Sequence, residues 1–222
     1  MKQSLARKFR LLFKPLHSSE RYYANYANVI TLDLGRMSIY AQLKAAAKAC
    51  PGEILDFGCG LGYATHFLGA RGVDVNEEAV AAARRLFPQG RYERLDLQGL
   101  LAEGKRYDAI SCVNVLEHLE DEFRDAFFAA VPRLLKPGGK LLVVYDSMYH
   151  PLQLLSGLIH PGMLLSDPTH IYCWPQFKFR RLLKQAFEVE SEQGGNILSL
   201  FLPWTNAFST ARLYVCKPKA RA

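Results

Sequence analysis

The chain has 222 residues and a mass of 25.1 kDa, which is enough for one domain with a modest addition. Half of its residues are hydrophobic and 22% are charged, a composition that excludes an intrinsically disordered chain. The net charge of +7 comes from the two ends, because residues 22–216 carry 19 basic and 20 acidic side chains. A basic excess on the folded domain is typical of nucleic-acid-binding proteins, so this distribution argues against nucleic acid as a partner.

The cysteines and the apolar segments bear on the compartment. Five cysteines are dispersed, with no Cys-x-x-Cys pair, which indicates reduced thiols in the cytoplasm rather than disulfides. The basic N-terminus lacks the apolar run of a signal peptide. The apolar stretch 148–165 is broken by Pro151, Gly157 and Pro161, which excludes a transmembrane helix there. We therefore predict a cytoplasmic protein, and no residues have the spacing of a metal site.

Along the chain, a basic amphipathic segment at 2–16 is followed by a helical region from about 21 to 49. Strand-like runs then occur at 53–57, 71–75, 91–95, 107–113 and 139–145. Helical patterns lie between them at 63–69, 77–87 and 120–135, with a weak single turn at 97–103. The sequence Lys136–Gly139 predicts a helix stop and a tight turn before the next strand. Strands that alternate with helices predict a parallel sheet covered on both faces.

The C-terminal part departs from this alternation. A helix is predicted from about 175 to 186, and two strand-like runs, 187–192 and 211–217, look like an antiparallel hairpin at the sheet edge. The predicted fold class is a Rossmann-like, doubly wound α/β domain with a seven-stranded, mostly parallel sheet and a helical lid. Residues 1–222 form this single domain, divided into an N-terminal helical segment 1–49, a core 50–146, a lid 147–175 and a C-terminal helix with edge strands 176–222.

Three glycines follow the first predicted strand at alternate positions, in the order Asp56, Gly58, Gly60, Gly62. Glycine lets a main chain approach a ligand closely, and open α/β sheets bind ligands beyond the carboxyl ends of their strands. A dinucleotide fingerprint needs Gly-x-Gly-x-x-Gly, but Tyr63 occupies the last position when the count begins at Gly58. The acid before the loop would also repel a pyrophosphate. The pattern therefore favours a ligand with an ammonium group and no phosphate.

These motifs resemble those of the class I S-adenosylmethionine-dependent methyltransferases of the broad small-molecule type. The matching segments occur in the order of that family, at 56–62, 72–76, 95–97, 107–119 and 134–141. The resemblance implies S-adenosylmethionine as cofactor, with Asp74 on the ribose hydroxyls and Asp96 at the adenine amino group. The full set of cofactor-binding residues in this prediction is Asp56, Gly58, Cys59, Gly60, Gly62, Asp74, Val75, Asp96, Leu97 and Asn114.

Three histidines are candidate catalytic residues. His118 follows the fourth strand, where a neutral imidazole could take a proton from an attacking hydroxyl; the alternative is that it only packs near the start of the next helix. His150 and His170 lie in the predicted lid. Catalysis without a base is a further alternative, since positioning and desolvation can supply most of the rate. Asp108 begins a strand away from the carboxyl ends and is predicted to be structural.

The predicted function is methyl transfer from S-adenosylmethionine to a small-molecule or lipid-like acceptor, with O-methylation ahead of N- or C-methylation. The apolar, aromatic lid favours an acceptor with an apolar body. Two alternatives are a non-catalytic adaptor that binds S-adenosylmethionine and a nicotinamide-dependent reductase, which the glycine spacing opposes. The basic segment 2–16 is compatible with peripheral contact to an anionic membrane, and packing of its apolar stripe on the domain would explain the same pattern. The oligomeric state stays open.

Overall fold

The computed structural model describes residues 34–146, 174–195, 209 and 211–219, with side chains from residue 39 onward. The segment 2–16 and nearly all of the predicted lid lie outside the described residues. The division of the chain into an N-terminal segment, a core, a lid and a C-terminal part stays a prediction. None of the helices in the described ranges is long and apolar enough to cross a membrane.

Seven strands form one sheet in the order β3-β2-β1-β4-β5-β7-β6. Their bounds are Ile54–Phe57 (β1), Arg71–Asp74 (β2), Arg91–Arg94 (β3), Tyr107–Val113 (β4), Leu135–Asp146 (β5), Phe187–Gly195 (β6) and Ala211–Pro218 (β7). Strands β1 to β5 pair in parallel, whereas β7 pairs antiparallel with both β5 and β6. The predicted mostly parallel sheet and its C-terminal antiparallel hairpin are confirmed.

Strand β5 begins earlier than predicted, at Leu135. Tyr107 of β4 pairs with Leu135, yet two residues later β4 pairs with Lys140, so residues 136–139 bulge out of the ladder. Within this bulge, Gly138 has a φ of 79°, in the left-handed region that glycine adopts readily. The predicted tight turn is therefore present, but it interrupts the strand instead of preceding it.

Six α-helices lie in the described ranges. Their bounds are Leu34–Lys48 (α1), Tyr63–Leu68 (α2), Glu77–Leu86 (α3), Leu97–Glu103 (α4), Asp121–Leu134 (α5) and Gln176–Ala186 (α6). The segment 97–103, predicted as a weak single turn, is thus a helix of seven residues. Asp96 caps its start by accepting the Gly99 N–H at 2.8 Å, and Gly104 ends it with a φ of 64°. These two caps stabilise a helix whose apolar pattern is too short to predict more than a single turn.

Apolar side chains cover both faces of the sheet. On one face, Phe127 of α5 and Phe179 of α6 belong to a core cluster with β4 and β5. On the other face, Leu43 of α1 packs with Leu142 and Leu213. Both faces are therefore buried, as the alternation of strands and helices predicts for a doubly wound sheet.

The amino ends of the strands are fixed by ion pairs. The guanidinium of Arg71, at the start of β2, donates to the carboxylates of Glu93 and Glu103. Asp108, near the start of β4, accepts a hydrogen bond of 2.7 Å from Lys136 Nζ, and this partner lowers the pKa of the Asp108 carboxyl. The position and the ion pair of Asp108 support the structural role predicted for it.

Candidate functional site

The carboxyl ends of β1, β2 and β4 meet at one edge of the sheet. The chain runs outward from β1 through β2 to β3 and then returns to place β4 on the other side of β1. The strand order therefore reverses between β1 and β4, and a crevice at such a reversal is the usual ligand site of open α/β sheets. The predicted cofactor-binding residues follow β1, β2, β3 and β4 at this edge.

The glycine loop between β1 and α2 is fastened to the end of β2. The Gly58 N–H donates to the Val73 carbonyl at 2.9 Å, and the Gly60 N–H donates to Asp74 Oδ2 at 2.9 Å. Gly58, Gly60 and Gly62 have φ values of 71°, 50° and 80°, a left-handed conformation that glycine adopts without penalty. The conformation of the loop thus explains glycine at every second position.

Only one of these three glycines faces open space. A Cβ added to Gly58 would lie 2.6 Å from the Val115 side chain, and one added to Gly62 would lie 2.5 Å from the Tyr92 ring. A Cβ added to Gly60 would meet no atom within 4 Å. Packing of the protein itself therefore requires Gly58 and Gly62 to lack a side chain, whereas the backbone at Gly60 is accessible to a ligand.

Asp56 lies beneath the loop. It is 1% exposed, and its two carboxylate oxygens accept hydrogen bonds of 2.6 Å from the hydroxyls of Thr65 and Ser111. Burial raises the pKa of Asp56 to about 6, although the two hydroxyl donors offset part of the rise. Asp56 thus joins α2 to β4 under the loop, and its direct contact with a cofactor stays a prediction. Sequence reasoning missed Thr65 and Ser111, because an isolated hydroxyl residue carries no motif.

The side chain of Cys59 packs inside the protein. Cys59 is 8% exposed and belongs to a small core cluster with Val80, Ala83 and Tyr92. Burial, followed by the charges of neighbouring carboxylates, raises the pKa of the Cys59 thiol, so the side chain stays protonated. A cofactor could therefore contact Cys59 only at its backbone, and that contact stays a prediction.

Asp74 ends β2 and points its carboxylate at the loop. Oδ2 accepts the Gly60 N–H and Oδ1 accepts the Asn76 N–H, each at 2.9 Å. A carboxylate has about four acceptor sites, so each oxygen keeps capacity for a hydroxyl donor. Val75, the next residue, is 65% exposed. An exposed apolar side chain beside such a carboxylate suits a ligand that carries hydroxyl groups next to a flat ring.

Asp96 and Leu97 continue this rim after β3. Asp96 uses Oδ1 to accept the Gly99 N–H, and its other oxygen makes no hydrogen bond within the described ranges. Leu97 is half-buried against the core. The Leu95 N–H donates to the Asp74 carbonyl at 3.1 Å, which ties this turn to the end of β2. The structure therefore places the residues after β2 and β3 side by side.

Asn114, directly after β4, combines two unfavourable features. Its φ of 53° is the only positive value at a non-glycine residue in the described part of the chain. Its N–H donates to the Val144 carbonyl at 2.9 Å, while its Oδ1 is buried without a hydrogen-bond partner in those same ranges. A buried acceptor without a partner costs about 1–3 kcal/mol, and the strained backbone costs a similar amount. Such costs are typical of a residue that is arranged for a ligand.

Of the three predicted catalytic histidines, His118 is within the described residues, whereas His150 and His170 are outside them. His118 is half-buried in a single 3-10 turn, Leu116–His118, just past the end of β4. The catalytic roles of all three histidines stay predictions.

The neighbouring Glu117 is 1% exposed and was not predicted as a site residue. Its position between Leu116 and His118 carries no recognisable motif in the sequence.

The acids at this edge are not ion-paired with the basic residues that the structure describes. Asp56, Asp74 and Asp96 form no salt bridge with any Lys or Arg in the ranges that the structure describes. An uncompensated acidic rim repels phosphate and attracts positive charge. S-adenosylmethionine, which the resemblance implies, carries an ammonium, a sulfonium and ribose hydroxyls but no phosphate. The open backbone at Gly60, the Oδ1 of Asn114 and the acceptor capacity of Asp74 therefore fit this cofactor.

A family of known proteins matches this part of the chain. The family is described as "Methyltransferase domain", and its match covers residues 54–139. That range begins at the first residue of β1 and ends in the bulge of β5. It therefore contains all ten predicted cofactor-binding residues, from Asp56 to Asn114.

The chain is also similar to curated enzymes. It is 27% identical over 187 residues to a "Ubiquinone biosynthesis O-methyltransferase" of Coxiella burnetii, which covers 67% of this chain and 76% of the relative. For the same-named protein of another strain, identity is 35% over 131 residues, and the chain spans 55% of that relative. It is 34% identical over 96 residues to the "Cyclopropane-fatty-acyl-phospholipid synthase" of Escherichia coli, covering 41% of this chain and 25% of that protein.

One similar solved structure is the magnesium protoporphyrin IX methyltransferase of Synechocystis PCC 6803 with bound SAH. The TM-score is 0.58 at 21% sequence identity, and the match covers 84% of each chain. At this identity, the likeness concerns the fold alone.

Proposed function

This chain belongs to the S-adenosylmethionine-dependent methyltransferases, and we propose that it transfers the methyl group of S-adenosylmethionine to a hydroxyl of a small-molecule or lipid-like acceptor. The observation that carries the proposal is the glycine loop, in which the accessible backbone at Gly60 is held by the carboxylate of Asp74 at 2.9 Å. This acidic, glycine-lined rim suits a cationic cofactor without phosphate.

The residues that would hold the cofactor follow from the chemistry of each position. The Asp74 carboxylate would accept the ribose hydroxyls, in charge-assisted hydrogen bonds of about 1.5–3 kcal/mol each. Asp96 would accept the adenine amino group, and the exposed side chain of Val75 would cover the ring. The backbone at Gly60 and the Oδ1 of Asn114 would line the methionine portion of the cofactor. The ammonium group of that portion would donate the hydrogen bond that Asn114 Oδ1 lacks among the described residues.

The cofactor, when bound, supplies a methyl group activated on a sulfonium. This chain contributes mainly the positioning of the acceptor and the exclusion of water at the crevice. His118, beyond the end of β4, is the candidate to receive the proton of the acceptor hydroxyl at a ring nitrogen. A base matters less when the hydroxyl ionises easily, so the need for His118 should depend on the acidity of the acceptor.

We propose an acceptor that joins a hydroxyl-bearing aromatic ring to an apolar tail. One relative is named for ubiquinone biosynthesis and another for a fatty-acyl phospholipid, and a lipid-like acceptor agrees with both. A hydroxyl on an aromatic ring has a pKa near 10, which makes it easier to activate than an aliphatic alcohol.

Calorimetry and a transfer assay test the proposal separately. Titration with S-adenosylmethionine should show binding, and titration with NAD should show none. Transfer of labelled methyl groups should then be measured on catechols with and without an alkyl tail, with faster turnover of the tailed compound expected. Binding without transfer to any hydroxyl acceptor would favour a non-catalytic adaptor, whereas binding of NAD would favour a reductase.

We also propose that the protein acts in the cytoplasm. Cys50, Cys59, Cys112 and Cys216 are free and buried, which supports reduced thiols in a reducing compartment. Peripheral membrane contact through residues 2–16 is part of the same proposal. Sedimentation of the full chain with anionic and neutral vesicles at low salt tests it, and absence of binding to anionic vesicles would contradict it.

A further inference from the structure

Helix α6 presents an unusual outer face. Its eleven residues include four basic and no acidic side chains. Phe179 and Leu183 are fully buried against the core. At about 100° per residue, Phe177, Arg181 and Lys184 lie within about 60° of one another on the opposite side. We call these three residues, with the flanking Lys178, the outer stripe of α6.

The outer stripe has no partner within the described part of the chain. Phe177 is 77% exposed, a high value for a large aromatic side chain. Lys178, Arg181 and Lys184 are exposed and form no salt bridge or side-chain hydrogen bond with other described residues. Arg180, which lies beside the stripe, instead pairs with Glu192 at 2.9 Å. Among the described residues, the three cations of the stripe thus have no acidic partner, whereas the adjacent Arg180 has one.

The position of Lys178 is not explained by the helix itself. It lies in the first turn of α6, which has no acidic residue, and a helix N-terminus disfavours positive charge. Lys184 lies in the last turn, where the helix dipole does favour it. An external anionic surface would account for Lys178 next to the exposed Phe177, whereas the helix alone would not.

The stripe begins at the same edge of the sheet as the crevice. The Trp174 N–H donates to the Tyr145 hydroxyl at 2.6 Å, and that hydroxyl donates to the Trp174 carbonyl at 2.6 Å. Tyr145 stands at the carboxyl end of β5, so α6 starts at the rim of the crevice. Phe177 follows Trp174 by three residues and therefore lies near that rim.

We propose that the outer stripe of α6 is a docking surface for anionic phospholipid. Phe177 would enter the headgroup region while the three cations contact lipid phosphates, a pairing of aromatic and basic residues typical of membrane-surface helices. Each Lys or Arg near an anionic surface raises binding about fivefold at low salt. Docking would bring the rim of the crevice to the bilayer. The surface is separate from residues 2–16, and its existence does not depend on methyl transfer.

A second exposed aromatic residue provides a contrast. Phe123, in the first turn of α5, is 66% exposed. Its neighbours Asp121, Glu122 and Asp125 are acidic, and Arg124 pairs with Asp121 and Asp125. This surface should be repelled by anionic lipid. Phe123 therefore serves as a matched control for Phe177.

The test is sedimentation of the full chain with vesicles of phosphatidylcholine, with and without phosphatidylglycerol, at low salt and without cofactor. The triple variant Lys178→Gln, Arg181→Gln, Lys184→Gln should bind anionic vesicles about a hundredfold more weakly than the unmodified chain. A control with the same net charge neutralises three exposed cations elsewhere, Arg85→Gln, Arg106→Gln and Arg133→Gln, and should change binding by less than about threefold, because distant charges are screened.

The aromatic contribution is tested in the same assay. Phe177→Ser should weaken binding about tenfold, and Phe123→Ser should leave it unchanged. Equal losses in the two triple variants would overturn the proposal, since net charge alone would then govern binding. Soluble polyglutamate should also be added as a competitor. If it abolishes vesicle binding completely, an acidic protein partner would be favoured instead of lipid. Because no turnover is measured, failure of the methyl-transfer proposal would leave these outcomes unaffected.

Discussion

Gly60→Ala should weaken cofactor binding while the domain stays folded. A Cβ at this position meets no protein atom within 4 Å, so it would project into the space where we propose that the ligand binds. The φ of 50° costs alanine about 1–2 kcal/mol, which lowers stability without preventing folding. Overpacking a fitted site costs about 1–3 kcal/mol, which corresponds to a loss of roughly 5- to 150-fold in affinity for S-adenosylmethionine.

Gly104→Ala separates the backbone cost from the effect on the site. Gly104 has a φ of 64° and an equally open Cβ position, but it ends α4 before the amino end of β4. Both variants should lose similar amounts of thermal stability, and only Gly60→Ala should lose affinity. Gly62→Ala, whose Cβ would lie 2.5 Å from the Tyr92 ring, should be less stable than either of them.

Calorimetry on the folded variants decides the matter, with melting temperatures recorded in parallel. If Gly60→Ala binds S-adenosylmethionine as tightly as Gly104→Ala does, the accessible backbone at Gly60 is not the cofactor surface. The glycines would then serve only the turn between β1 and α2. The proposed function would lose the observation on which it depends.

Three further predictions address individual side chains. Asp74→Asn should weaken S-adenosylmethionine at least about tenfold in calorimetry, and unchanged affinity would place the ribose elsewhere. The pKa of Asp56 is raised from 3.8 to about 6 in the fold, so its ionisation should cost up to about 3 kcal/mol of stability as pH rises from about 4 to 6. Asp56→Asn should remove this slope in urea unfolding, and an identical slope in both proteins would contradict the assignment. His118→Gln should slow methylation of an aliphatic alcohol more than that of a phenol at unchanged cofactor affinity; equal slowing would argue against a base.

The periodic part of the fold could be predicted closely from the sequence. Strand β4 was predicted at 107–113 and is observed at Tyr107–Val113, because a short apolar run bounded by polar residues has few alternatives. The start of β5 was missed because its bulge depends on pairing with β4. Helix α4 was underestimated since its stability comes from its caps. Contacts made across the fold, and not local periodicity, account for these differences.

At the site, the motif predicted which residues come together but not what each one does. The sequence treats Gly58, Gly60 and Gly62 alike, yet two of them make room for protein side chains and one makes room for a ligand. In the sequence, Asp56 is simply an acid before the loop. The structure shows that it is buried and accepts hydrogen bonds from the hydroxyls of Thr65 and Ser111. The left-handed backbone of Asn114 has no sequence signature either. Such roles depend on distances across the sheet that a linear pattern does not encode.

The distribution of charge across the sheet favours a cationic cofactor over a nicotinamide dinucleotide. At the amino edge the described acids are neutralised, as in the pairs of Arg71 with Glu93 and of Lys136 with Asp108. At the carboxyl edge Asp74 and Asp96 form no salt bridge with any described Lys or Arg; the nearby Arg94 side chain instead donates to the Val75 carbonyl at 3.4 Å. A pyrophosphate would meet uncompensated carboxylates at this edge, whereas an ammonium and a sulfonium would gain their attraction. Asp74, which holds the glycine loop in place through Gly60, would therefore also favour a cationic ligand.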